Sequence, residues 1–237
     1  MLEEKEEKNF DLVYDMKKMY LAIYEITNRY LNNYYNDLKK RRIIDIRGIV
    51  KKHGIDIIEK EIYSKKFFFI NQLDGYLDSI PQNGQLKYTI YVNENLDEAS
   101  KRYVIAHEFS HYILENKCEK NTDTWELREN QYCLNVLFPR NAEESICDIM
   151  TAFLLMPIDC VLPLMKQFVD SRSGGYPVRM NEWLQCLSYW LQVSSYHVNI
   201  CFQHIRYLAT FLYNKYHKES DGEVFCGSIG EYKNLFF

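Results

Sequence analysis

Two histidines and a glutamate lie within five consecutive residues, HEFSH, at positions 107–111. The surrounding segment, Asn95 to Leu114, has apolar residues at helical spacing, which predicts an α-helix. Since a helix advances about 100° per residue, His107 and His111 share one face and can bind one metal ion. Glu108 lies beside them, where it can act on a water at that ion. The pattern therefore predicts a catalytic zinc site.

A catalytic zinc ion commonly has three protein ligands and one water, so a further ligand is needed. Two neighbouring carboxylates begin the next predicted helix, Ala142 to Met156, which ends before Pro157. Glu144 lies four residues before Asp148 on the same face, and Asp148 can contact the outer nitrogen of a ligand histidine. Glu143 is the alternative ligand, on a face about 100° away. The spacing alone leaves both glutamates as candidates.

The residues before HEFSH predict two helices and a small sheet. Apolar residues at helical spacing predict a long helix from about Asn9 to Asp37, and a second helix, Ile43 to Lys52, ends at Gly54. Three β-branched and aromatic runs predict a partly antiparallel sheet: Ile55–Ser64, Lys65–Ile70 and Lys87–Val92. Four turn-forming residues before the last run predict a loop: Gly75, Pro81, Asn83 and Gly84.

The C-terminal half is predicted to be helical, after a polar connection over Asn116–Arg140 with one helix around Trp125–Leu137. A break is expected at Gly174–Gly175 and the helical pattern continues to Tyr213. We expect an α+β fold in which a mostly helical body carries a sheet of about three strands beside the HExxH helix. The expected division is an N-terminal helical extension (1–42), a catalytic core (43–160), a C-terminal helical subdomain (161–217) and an irregular tail (218–237).

The composition argues against several other classes of protein. Twenty-nine Lys and Arg against thirty-three Asp and Glu give a net charge of -4, so the chain lacks the overall positive charge that nucleic acids attract. No apolar run reaches the roughly 20 residues of a membrane span, and the N-terminus is acidic, unlike a signal peptide. Seven cysteines without a CxxC pair predict reduced thiols. We expect a cytoplasmic protein with no membrane contact.

Two longer segments, YVIAHEFSHYIL and ESICDIMTAFLLMP, resemble the ImmA/IrrE family of metallopeptidases. That family pairs an HExxH helix with a later ExxxN or ExxxD segment leading into LLMP. The preceding KYTIYVN and HGIDII are similar to the family's strand before the active-site helix and its helix-to-strand entry. The resemblance covers roughly His53 to Arg206, although Cys201 stands where the family often has arginine.

The resemblance implies a gluzincin-like peptidase with a fold similar to that of the minimal zincins. Zn²⁺ would be held by His107, His111 and Glu144, and Glu108 would be the general base. Characterised members cleave or remove helix-turn-helix repressors, so the implied partner is a protein substrate of that kind. A zinc-binding sensor without hydrolytic activity is the alternative function.

Two further features of the C-terminal region stay open. The segment LSYWLQVSSYHVNICFQHI has a turn at Val193–Ser194 that suggests a helix-turn-helix. However, residues 180–214 carry only Glu182 and Arg206 as charged side chains, so we expect no direct binding to nucleic acid. His197 and His204 lie two turns apart on one helix face, and a core or surface role is expected for them rather than catalysis.

Overall fold

The computed structural model describes residues 3–35, 43–62, 74–118, 142–171 and 179–216. Within these ranges lie seven helices, α1 Glu3–Tyr34, α2 Ile46–Lys52, α3 Glu98–Cys118, α4 Ala142–Leu155, α5 Ile158–Asp170, α6 Met180–Leu191 and α7 Ser195–Tyr216. The three strands are β1 Asp56–Lys60, β2 Gly75–Gln82 and β3 Gln85–Asn93. The predicted α+β class, a mostly helical body with a three-stranded sheet, is confirmed.

The sheet has the strand order β1-β3-β2, with β1 parallel and β2 antiparallel to β3. Alternate residues of β3 are buried, namely Tyr88, Ile90 and Val92, because successive side chains of a strand point to opposite faces. Helix α3 packs against β2 and β3 and so lies beside the sheet. The prediction of a partly antiparallel sheet is confirmed.

The prediction of a loop before the last strand is wrong for residues 75–82, because these residues form strand β2. Asn83 and Gly84 make a two-residue hairpin turn, with φ of 52° and 79°, and Gln82 pairs with Gln85. Pro81 is tolerated since β2 is an edge strand among the described strands. The predicted strand Lys65–Ile70, the predicted helix Trp125–Leu137 and the predicted tail lie outside the described residues.

Gly75 brings β2 close to α3. A Cβ atom at this position would lie 2.3 Å from Cγ1 of Val104 and 2.7 Å from the backbone oxygen of Tyr91. Neither distance is compatible with normal packing, and the second contact is to backbone. The absence of a side chain at Gly75 therefore allows the close approach of the strand to the helix.

Helix α4 forms the centre of the hydrophobic core, and α1, α3 and α7 pack around it. From Ile149 to Leu155 every residue of α4 is buried. At the crossing of α3 and α4, Ser110 and Thr151 are buried, and each hydroxyl donates to a carbonyl of its own helix. These short side chains, with satisfied hydroxyls, let the two helices pack closely.

The C-terminal helices α6 and α7 are joined at the predicted turn. Helix α6 ends at Leu191, Gln192 adopts φ 51°, and α7 follows Val193 and Ser194. The Ser194 hydroxyl accepts a hydrogen bond from the backbone N–H of His197 at 3.3 Å, as an N-cap does. The predicted turn at Val193–Ser194 is confirmed.

Among the described residues, no single helix is both long and apolar enough to cross a bilayer. Two consecutive segments, Ala142–Leu155 and Ile158–Phe168, are long and apolar enough only when taken together. They are bent by 57° relative to each other. Cys147, Cys160, Cys186 and Cys201 are free thiols, and all of these but Cys186 are buried.

Candidate metal centre

The predicted metal ligands lie where α3 faces the first turn of α4. His107 and His111 are one helical turn apart on α3, and their ring centroids are 5.1 Å apart. One carboxylate oxygen of Glu144 lies 3.0 Å from Nε2 of His107, and the other lies 3.4 Å from Nε2 of His111. One potential ligand atom from each of the three residues lies within 4.8 Å of the others. The structure therefore brings all three together.

These distances fit a zinc ion. In a tetrahedral site with Zn–N and Zn–O bonds of about 2.0–2.2 Å, neighbouring ligand atoms lie about 3.3 Å apart. Each imidazole nitrogen lies near this distance from a carboxylate oxygen of Glu144, His107 at 3.0 Å from one oxygen and His111 at 3.4 Å from the other. Two imidazole nitrogens and one carboxylate are also a donor set found in catalytic zinc peptidases.

Glu143, the alternative ligand, contacts a different atom. Its Oε1 lies 3.1 Å from Nδ1 of His111, whereas Glu144 faces the other ring nitrogen, Nε2. Its side chain is 67% exposed. The geometry therefore brings Glu144, and not Glu143, to the position shared by both Nε2 atoms.

Asp148 lies next to the outer nitrogen of His107. Its Oδ1 is 3.2 Å from Nδ1, a close electrostatic contact that lacks good hydrogen-bond alignment. The same oxygen accepts a hydrogen bond of 3.0 Å from the Tyr103 hydroxyl. Although burial acts in the opposite direction, His107 and Tyr103 hold the pKa of Asp148 below its usual range. Asp148 is thus an anion next to a candidate ligand at neutral pH.

The environment of Asp148 also affects His107. Burial disfavours the charged imidazole, but Asp148, Glu108 and Glu144 together raise the pKa of His107 above its usual value. A cation at this position is therefore stabilised by the surrounding carboxylates. A metal ion has the same sign of charge and would be attracted by the same groups.

Glu108 is contacted by β2, the strand whose sequence favours a loop. The backbone N–H of Leu77 in β2 donates a hydrogen bond to its carboxylate. Burial raises the pKa of Glu108 above its usual range, although His107 and His111 act in the opposite direction. A carboxylate with a raised pKa is a better proton acceptor, which suits a general base.

The two C-terminal histidines, His197 and His204 of α7, lie near Asp148. His204 shares a hydrogen bond of 2.8 Å with the Tyr20 hydroxyl, and the ring of His197 stacks on Tyr103 with centroids 3.8 Å apart. Burial lowers the pKa of both histidines, so both are neutral at pH 7. Neither belongs to the group of residues that could hold the metal ion.

Two contributors to the site were missed by sequence reasoning, the backbone of Leu77 and the hydroxyl of Tyr103. The hairpin signal Asn83–Gly84 could have shown that Leu77 lies in a strand. No sequence signal places the Tyr103 hydroxyl on Asp148, because that contact depends on how α3 and α4 cross.

The arrangement defines a class of protein. An HExxH helix whose two histidines face a glutamate on a second helix is an arrangement of zinc metallopeptidases. Residues 50–170, just over half of the chain, match the IrrE N-terminal-like peptidase domain. The chain therefore belongs to the ImmA/IrrE family of metallopeptidases. No curated protein matches it significantly.

Proposed function

We propose that the protein is a zinc-dependent endopeptidase in which His107, His111 and Glu144 bind the ion. The observation that carries the proposal is the position of Glu144, whose two carboxylate oxygens face the Nε2 atoms of both HExxH histidines. Family membership supports peptide hydrolysis as the reaction. The division of the chain into a catalytic core and flanking helical parts remains a prediction.

Glu108 is proposed as the general base. When bound, zinc polarises the scissile carbonyl and lowers the pKa of a water. Glu108 accepts the proton of that water and returns it to the leaving amine. The hydrogen bond from the Leu77 N–H orients this carboxylate from the β2 side. Asp148 stabilises one orientation of the His107 ring through Nδ1.

The substrate is proposed to bind along β2 as an extended segment. Because the Leu77 N–H points to Glu108 and away from β3, Gly75 and Ser79 also present backbone groups on that side. An extended peptide can pair with such an edge and lie beside the general base. The family resemblance supports a helix-turn-helix repressor in the cytoplasm as the substrate.

The first experiment measures zinc per chain by elemental analysis, in protein purified without added metal. We expect about one zinc ion in the wild type and none in His107→Ala, because two ligands bind zinc far more weakly than three. His53→Ala is a matched control, since His53 packs against Tyr30 and Phe109 rather than in the cluster, and it should keep the ion. A wild type without zinc would contradict the proposed site.

The second experiment separates hydrolysis from binding. Purified repressor is incubated with wild type and with Glu108→Gln, and cleavage is followed by mass spectrometry. Glu108→Gln should retain zinc and lose at least about 100-fold in cleavage rate, because general-base catalysis contributes that much. If cleavage is equal in both proteins, Glu108 is not the base. If zinc-loaded wild type cleaves nothing and a cellular effect survives Glu108→Gln, a zinc-dependent sensor replaces the proposal.

A further inference from the structure

The carboxylate of Asp148 has two neighbours on α3. Tyr103 lies one helical turn before His107, and its hydroxyl donates to Oδ1 of Asp148 at 3.0 Å. The same oxygen lies 3.2 Å from Nδ1 of His107. A carboxylate on a short side chain rotates freely unless both its position and its plane are held. Tyr103 supplies one such restraint.

The Tyr103 ring is itself held in place. It is 9% exposed, and His197 of α7 stacks on it with ring centroids 3.8 Å apart and an interplanar angle of 12°. His197 in turn shares a hydrogen bond of 2.6 Å with the hydroxyl of Ser194 at the start of α7. The hydroxyl is therefore presented to Asp148 by a fixed ring.

Tyr103 acts as a donor only. Burial and the charge of Asp148 both raise its pKa, so the hydroxyl keeps its proton at physiological pH. Asp148 also lies near His204 of α7. Without the Tyr103 hydroxyl, the carboxylate is free to turn toward α7 and away from His107.

We propose that Tyr103 is a positioning residue whose hydroxyl holds Asp148 against Nδ1 of His107 and thereby aims Nε2 of His107 at the metal ion. The inference rests on the proposed zinc site. It adds Tyr103 to the site, behind Asp148, which itself contacts His107. Partners of this kind tune metal affinity although they touch neither metal nor substrate.

The test compares zinc affinity, measured by competition with a chromogenic chelator, in wild type and Tyr103→Phe. Direct partners of ligand histidines contribute about 10- to 100-fold to affinity, so loss of a hydroxyl one contact further away should weaken binding by about threefold to tenfold. Tyr196→Phe is the matched control. Its ring also contacts His197, at 5.1 Å between centroids, but its side chain lies in solvent, 72% exposed. It should bind zinc as the wild type does.

A double-mutant cycle with Asp148→Ala tests the route of the effect. If Tyr103 acts through Asp148, adding Tyr103→Phe to Asp148→Ala causes no further loss of affinity. The Co²⁺-loaded Tyr103→Phe protein should also show altered d–d absorption bands, because the ligand geometry changes. Circular dichroism of each variant checks that the helical fold is intact, and Co²⁺ spectra are compared at equal folded fraction.

The outcomes separate this inference from the function on which it rests. If the wild type binds no zinc, the proposed site is overturned and this inference with it. If the wild type binds zinc but Tyr103→Phe binds it equally well with an unchanged Co²⁺ spectrum, only the inference is overturned. Additive losses in the cycle would also overturn it, since Tyr103 would then act independently of Asp148.

Discussion

Helix α3 contributes to two clusters of charged side chains, and the two clusters differ in how their charges are balanced. At its N-terminal end, two cations and two anions form an ion-pair cluster with contacts of 2.7 to 3.6 Å: Arg47, Glu59, Glu98 and Lys101. About two turns later, α3 and α4 contribute a carboxylate cluster: Glu108, Glu143, Glu144 and Asp148. Among the described residues, the partners of these carboxylates are histidines, a tyrosine and a backbone amide.

The difference shows which group has a structural role. In the ion-pair cluster the charges compensate one another, so it joins α2, β1 and α3 without an added ligand. In the carboxylate cluster four acidic side chains face two imidazoles, and the charge of Glu144 acts with burial to raise the pKa of Glu108. An excess of negative charge beside two imidazoles attracts a metal ion, whose charge it compensates.

The largest expected effect is that of Glu144→Ala. Loss of a direct ligand should weaken zinc binding by more than about 100-fold, because even the loss of a residue that only contacts a ligand can weaken binding by up to about 100-fold. Zinc at 100 times its Kd stabilises the wild type by about 2.7 kcal/mol, and the variant should gain almost nothing at the same concentration. Thermal unfolding with and without zinc measures both. Without zinc, the variant should be at least as stable as the wild type, and a much lower Tm would contradict the comparison.

The next largest effect distinguishes the two carboxylates that contact the outer nitrogens of the histidines. Asp148→Ala should weaken zinc binding by about 10- to 100-fold, since it removes an oriented partner of His107. Glu143→Ala should cost less than about threefold, because its contact with His111 is largely exposed and water replaces it. Chelator competition measures both affinities. Equal losses would show that the two histidines are supported alike.

The close packing of β2 against α3, the helix that contributes to both clusters, is tested by Gly75→Ala. The added Cβ would collide with Val104 and with the backbone oxygen of Tyr91, so we expect a loss of about 1–3 kcal/mol in the free energy of unfolding. Urea denaturation measures this loss. If the added Cβ displaces β2 from α3, the Leu77 N–H also moves away from Glu108. Ser79→Ala on the same strand is the control, and a similar loss there would argue against the steric cause.

The smallest expected effect concerns the ion-pair cluster. The hydrogen bond from Lys101, with a further contribution from Arg47, lowers the pKa of Glu59 below its ordinary value of 4.5. A lowered pKa in the folded state stabilises the protein above the unfolded pKa, and this stabilisation is lost as the pH falls through the folded pKa. Glu59→Gln should therefore lower Tm by about 2 °C at pH 7.

This difference between Glu59→Gln and wild type should shrink as the pH falls below 4.5. The control is Asp56→Asn, because the ion pair of Asp56 with Lys87 is about half exposed on both sides. We expect no measurable change in its Tm. A difference for Glu59→Gln that stays constant from pH 7 to pH 3 would show that the charge of Glu59 is not the cause.

The sequence predicted the two helices that meet at the site because their signal is local. Helical spacing placed His107 and His111 on one face of α3, whereas the choice of Glu144 over Glu143 came from the family resemblance and agrees with the contacts in the structure. Strand β2 was missed because Gly75 and Pro81 favour loops locally. The requirement for glycine comes from contact with α3, and that contact is visible only in the folded chain.

Side-chain partners were predicted less completely than helices. The spacing of Glu143 and Glu144 showed that their faces differ by about 100°, but not which ring nitrogen each would meet. That choice depends on the crossing of α3 and α4 and on the rotamers of His107 and His111. The hydroxyl of Tyr103 is missed for the same reason, since nothing in its local sequence points to Asp148.

Helix α1 has a practical consequence for work with fragments of this protein. It lies before the family match at residues 50–170, yet Tyr20 packs against Phe153 of α4 and Phe211 of α7. A fragment that starts at residue 50 would expose this apolar surface of α4 to water. It would aggregate or require detergent, so the peptidase region and α1 should be expressed as a single piece.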